Sequence, residues 1–145
     1  MHPLGIHNRD LADDVYWIAI VKPKDPWGDD ARVAKERLGK ARIVTTEEVL
    51  GELLAALRKG PYLRNLAVKM VRSISSNPNV KVVPQSRDSF QKGLTLYDER
   101  RDKQYSLQDC ISMNVMKSES LTEVLTNDDH FHQEGFTVLM PRKGQ

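Results

Sequence analysis

Two short β-branched runs, ARIVTT (41–46) and NVKVVP (79–84), enclose a pair of helical segments, and that alternation narrows the fold more than any other feature of the chain. EEVLGELLAALRKG (47–60) is the clearest helix. Val49, Leu53 and Leu57 share one face, Thr45 and Glu48 are spaced as a capping box, and Gly60 serves as its stop. PYLRNLAVKMVRSI (61–74) continues as a second helix before the next strand. The same rhythm runs on through RDSFQKGLTLYDERR (87–101) and SLQDCISMNVMKSE (106–119) as helices, then TEVLTND (122–128) and GFTVLM (135–140) as strands. Short strands separated by helices predict a mainly parallel sheet covered on both faces.

The front of the chain is less regular. Its first ten residues are polar and are expected to be irregular, and YWIAIV (16–21) reads equally as a helix or a buried strand. PKDPWGDDARVAKERLG (23–39) reads as a turn and a helix, with Asp25 as N-cap, Pro26 as first helical residue and Gly39 as stop. At 145 residues, with 39% apolar and 29% charged side chains, the chain is expected to form one globular domain over 1–145. A lone Cys110 excludes an internal disulfide framework and fits the cytoplasm. The absence of a stretch of roughly 20 apolar residues argues against a membrane span, and MHPLGIHNRD lacks the apolar heart of a signal peptide. A net charge of +2 is compatible with a nucleic-acid partner without requiring one.

The chemistry lies in four acids, each set against apolar sequence where a charge is costly unless it is used. Asp13 stands before the YWIAIV segment, Glu52 sits beside the apolar face of its helix, Asp109 follows Ser106 early in a buried helix, and Asp128 follows EVLT. Each has an ordinary reading as well: N-cap, solvated helix acid, dipole-favoured acid and turn residue, respectively. On the parallel-sheet scheme all four fall near strand-to-helix junctions, where such sheets bind ligands. Together they would make an oxygen-lined site for a hard cation. His130 and His132 offer zinc or iron ligands, but no third nitrogen or sulfur ligand stands near them. Cys110 reads as an inert buried thiol, DERRDK as a solvated helix end, and Tyr16, Trp17 and Trp27 as core. Arg64, Lys69 and Arg72, at helical spacing, read first as a solvated face and second as contacts for an RNA backbone.

These segments resemble the PIN-domain family of metal-dependent ribonucleases, and especially the small VapC-type toxins of toxin–antitoxin pairs. DDVYWIA (13–19) is similar to the family's opening Asp-Thr-Ser-aromatic-aromatic-Ile-Ala, and TTEEVLGELLAAL to its second acidic element. YSLQDCIS matches Ser-Leu-Thr-Asp-Cys-Ile-Ser, and LTNDDHF matches Leu-Thr-Thr-Asp-x-His-Phe. Two departures lie at the front: GIHNRDLA is mostly polar where an apolar strand is usual, and Asp14 and Val15 replace small hydroxyl residues. The resemblance implies a three-layer α/β/α sandwich with a central, mainly parallel sheet. It implies Mg²⁺ or Mn²⁺ held by Asp13, Glu52, Asp109 and Asp128, and hydrolysis of RNA phosphodiesters. An antitoxin protein and a second copy of the chain, as a homodimer, are the implied partners. The altered front leaves a second reading, a catalytically impaired PIN-fold interaction or RNA-binding module. A receiver-like signalling domain fits less well, since neither IVTT nor VVP carries a phosphoacceptor Asp.

Overall fold

Five strands, β1 (Arg9–Ala12), β2 (Arg42–Thr46), β3 (Val80–Val83), β4 (Glu123–Leu125) and β5 (Thr137–Val138), pair entirely in parallel in the order β3-β2-β1-β4-β5. The computed structural model describes residues 9–22, 24–38 and 42–140. Seven helices connect the strands among those residues: α1 (Asp14–Val21), α2 (Gly28–Leu38), α3 (Glu47–Ala56), α4 (Pro61–Ser76), α5 (Arg87–Glu99), α6 (Leu107–Ser118) and α7 (Asp129–Gln133). None of them is long and apolar enough to cross a membrane.

Successive strand residues face opposite sides of a sheet, and here they supply two cores. Ala12 and Leu125 point into one, with Tyr16 and Trp17 of α1, Ala31 of α2, Val49 and Leu53 of α3, and Ile74 of α4. Leu11, Val44 and Val124 point into the other, with Leu96 of α5, Met113 and Met116 of α6, and Phe131 of α7. Helices α1–α4 therefore cover one face and α5–α7 the other, completing an α/β/α sandwich. Cys110 lies in the second core, where burial pushes its thiol up to about 11, as expected of an inert cysteine.

The structure corrects several expectations. Arg9 and Asp10, placed in the irregular opening, belong to the central strand. Their polarity is handled locally. Arg9 Nη1 donates to Glu119 Oε1 at 2.8 Å, while Asp10, only 2% exposed, is raised to about 7 by burial and by the Glu123 carboxyl beside it. YWIAIV is helical, inside α1. Helix α2 begins at Gly28, not Pro26, because Asp25 Oδ1 accepts from Trp27 N in the preceding turn; the proposed stop, Gly39, lies outside the described residues. Thr46 caps α3 by accepting from Val49 N, one residue later than the Thr45–Glu48 reading. Helix α3 ends at Ala56, and Gly60, at φ +84°, introduces α4 instead.

Helix α5 packs closely on α6 at Gly93. A Cβ there would sit 2.6 Å from Ile111 Cγ1 and 3.2 Å from Leu107 Cδ1. Gly93→Ala should gain about 1 kcal/mol of helix propensity yet lose more to overpacking, typically about 1–3 kcal/mol. A net fall in the urea midpoint is expected, and a rise would show that α6 moves aside freely.

Candidate metal centre

Strands β1 and β4 are neighbours whose chains depart in opposite directions across the sheet, toward β2 and β5. Such a reversal opens a crevice at the carboxyl ends of the strands. Asp13 is the first residue beyond β1. Its N–H donates to Leu125 O at 3.2 Å, and its carbonyl accepts from Tyr16 N and Trp17 N to start α1. Asp13 thus occupies the cap position, but its side chain makes no capping bond. Instead, Oδ2 accepts from Thr126 Oγ1 at 2.9 Å, and the residue is only 5% exposed. Buried Thr45 ties β2 into the same corner, donating to Ala12 O at 2.9 Å and accepting from Trp17 Nε1 at 3.2 Å.

Asp13, Asp14 and Glu52 each present an oxygen within 4.8 Å of the others. Strand alternation predicts that only one of two consecutive residues at a strand end can face a site. That rule fails here because Asp14 is already the first residue of α1, so its direction follows the helix. Glu52 comes from α3, whose start is fixed by Thr46 at the end of β2, and it emerges half-buried beside Leu53.

A second group contains Asp109, Asp128 and His130, again with ligating atoms within 4.8 Å of one another. Ser106 Oγ accepts from Asp109 N at 3.0 Å, while Asp109 Oδ2 accepts from Ser106 N at 3.1 Å, a reciprocal cap that fixes the carboxylate. Asp128 caps α7, its Oδ1 accepting from His130 N at 2.9 Å. Asp109 stands in the first turn of α6, as its ordinary reading has it, while Asp128 is a helix cap and not the turn residue expected; both roles coexist with their grouping. His130 Nδ1 lies 3.3 Å from Asp109 Oδ2 and 3.2 Å from Asp128 Oδ1. By sequence, Asp13 and Asp14 are alternatives for one place at the site, and Asp13 is the one assigned; the structure brings both to Glu52. Sequence reasoning treated His130 mainly as half of a His-x-His pair, which the structure breaks up, since His132 is exposed on α7.

The two groups share one electrostatic field. Burial, then Asp14 and Asp109, raise Asp13 well above the carboxylate range against the opposing Thr126 hydroxyl. Glu52 is pushed up to about 7 by burial, then by Asp14, Asp109 and Asp128. Burial also raises Asp14, with Asp128 adding to it, and raises Asp109, again with Asp128, against the Ser106 N–H and His130. Among the described residues, no lysine or arginine stands among the main influences on these four acids. By contrast, Lys81 and Arg9 hold Glu119 low, and Arg100 and Lys117 help bring Glu134 to about 2. A cluster of carboxylates with His130 beside two of them, and no lysine or arginine paired with it among the described residues, is a donor set a divalent cation fits. An almost all-oxygen set suits Mg²⁺ or Mn²⁺ better than zinc. Arg64, Lys69 and Arg72 stand exposed on α4, on their solvated face.

Comparison with known proteins agrees with this geometry. A family model described as "PIN domain" matches residues 16–136. Among solved structures, the chain is similar to that of VapC20 from Mycobacterium tuberculosis, described as a sarcin-ricin loop cleaving toxin. The TM-score is 0.78 and the identity 20%, over 88% of this chain and 95% of that one. No curated protein matches by sequence. The chain belongs to the PIN-domain family.

Proposed function

We propose that this PIN-domain chain is a metal-dependent endoribonuclease, the toxin of a toxin–antitoxin pair, folding as one domain over 1–145 and acting in the cytoplasm as a homodimer. The observation that carries the reading is the set of grouped carboxylates, with no lysine or arginine paired to them among the described residues, where the chain reverses between β1 and β4. The similarity to a toxin described as cleaving an RNA loop supports RNA as substrate and an antitoxin as partner.

Asp13, Glu52 and Asp109 are the residues we assign to hold Mg²⁺ or Mn²⁺, directly or through water. Asp128 is a further ligand or orients the attacking water. The cation supplies charge to stabilise the crowded phosphate oxygens and makes water a better nucleophile near neutral pH. The chain's own contribution is preorganisation. Thr126 fixes Asp13, and Ser106 fixes Asp109, so neither carboxylate has to be ordered when substrate arrives. Glu52, Asp109 and Asp128 are each only partly buried, which supports their being open to substrate. Asp14 enlarges the negative charge that the cation must offset.

The test is cleavage of RNA by purified protein with Mn²⁺ or Mg²⁺, followed by excess chelator. Cutting should stop on chelation and resume when the cation is restored. Equal cutting in chelator would remove the metal from the assignment.

A further inference from the structure

Beside the acidic crevice lies an open groove of about 760 Å³, formed by the end of α5 and the loop leading into α6. We propose that it is a second binding site, taking a single-stranded RNA segment next to the bond that is cut; this rests on the ribonuclease reading above.

The argument begins with charge. Carboxylates repel phosphates, so affinity for a polyanion has to come from cations close by. Tyr105 links the two places. It lines the groove, and its ring lies tilted against that of His130 with centroids 5.5 Å apart, while His130 touches both Asp109 and Asp128. The groove is therefore one ring away from the site acids. Arg101 and Lys103 also line it. Arg101 pairs with Asp98, but the two side chains are 82% and 65% exposed, and so exposed a pair contributes little because water screens it. Arg101 can exchange its carboxylate for a phosphate at little loss. Lys103 Nζ is 3.8 Å from Asp102, at the edge of pairing. Arg100 has a different role, since it donates twice to Glu134, at 2.9 and 2.8 Å, and holds α5 to α7.

The aromatic part is Tyr97, 51% exposed, with Leu94, 45% exposed, three residues earlier on the same face of α5. A large ring left half in water inside a groove, next to an exposed cation, matches what single-stranded nucleic acid needs: a π-face for a base and a charge for the adjoining phosphate. The volume falls within the range of roughly 300–1,000 Å³ typical of ligand sites.

The measurement uses the full chain with Mn²⁺ and RNA hairpins carrying randomised loops, taking the hairpin cut fastest. Tyr97→Ala and Arg101→Ala should each raise KM about fivefold or more with kcat within about twofold. Tyr97→Phe, which keeps the ring, should restore KM. For Arg101→Ala, the slope of log(kcat/KM) against log salt should shrink by about 0.7, the loss of one single-strand phosphate contact. Thermal midpoints should match the parent, because the replaced side chains are exposed. If Tyr97→Ala unfolds, the Arg101→Ala slope decides. Folded variants with parental KM and salt slope overturn the proposal, and loss of a protein partner instead of RNA would mark the groove as a protein interface. A parent chain that cuts no hairpin brings down the ribonuclease reading itself, and the groove with it.

Discussion

Asp13→Asn is expected to lower RNA cleavage by at least about a hundredfold, within the range seen when one preorganised group is removed from a transition state. The amide keeps the shape and can still accept from Thr126 Oγ1, so the corner between β1 and β4 should stay folded. What it loses is the charge of the most buried acid of the cluster. Metal titration by calorimetry should weaken about 10–100-fold. Without metal, the variant should be more stable than the parent at pH 8, because a buried, repelled carboxylate has become neutral. Asp14→Asn should cost less than about tenfold, since Asp14 is only half-buried and no Thr126 bond aims it. Unchanged metal affinity in folded Asp13→Asn would make Asp13 structural.

A second large effect is expected in the dependence of stability on pH and metal. Glu52 and Asp10 titrate near 7 in the folded chain, against ordinary values of 4.5 and 3.8. Between those limits the folded state holds more protons than the unfolded one, so their contribution weakens stability as pH rises from about 4 to about 7. Asp13, Asp14 and Asp109 are raised as well and act in the same direction. Glu134, depressed to about 2, acts oppositely: its stabilisation is present above its unfolded value of 4.5 and is lost as pH falls toward 2. Urea midpoints of metal-free protein should therefore fall between pH 5 and pH 8. Saturating Mn²⁺ should remove most of that fall, since it binds the folded site alone, leaving the part due to Asp10 near the other end of β1. Asp10→Asn should flatten this residual slope. A metal-free midpoint that climbs steadily from pH 5 to pH 8 would mean that the acids are neutralised in some other way.

Helix α3 shows how far local pattern reaches. Val49, Leu53 and Leu57 fall on one face by spacing alone, and all three are buried. The alternation of strands and helices likewise made a parallel sheet readable. Strand β1 was not readable, because Arg9-Asp10 reads as polar coil. Those residues become strand because they pair in parallel with Arg42 and Ile43 of β2, with Glu119, from the end of α6, accepting from Arg9. The cap of α3 was misplaced by one residue for a related reason: Thr45 and Thr46 are alike in sequence, and contact with Ala12 and Trp17 draws Thr45 into the core and leaves Thr46 to cap.

The amino-acid sequence by itself determined the period of α3 and of most elements after it, the residue types able to bind a hard cation, and their positions near strand ends. Those properties depend on neighbours within a turn or two, where sterics and capping act. Tertiary structure alone decided that β1 lies between β2 and β4, so that Asp13 meets Thr126, 113 residues away. It also brought Asp14 to Glu52 and laid His130 across two carboxylates. Strand order and the direction of a first helical turn are set by packing two cores against one sheet. No short-range pattern carries that information, because the contacts that enforce it join residues far apart in the chain.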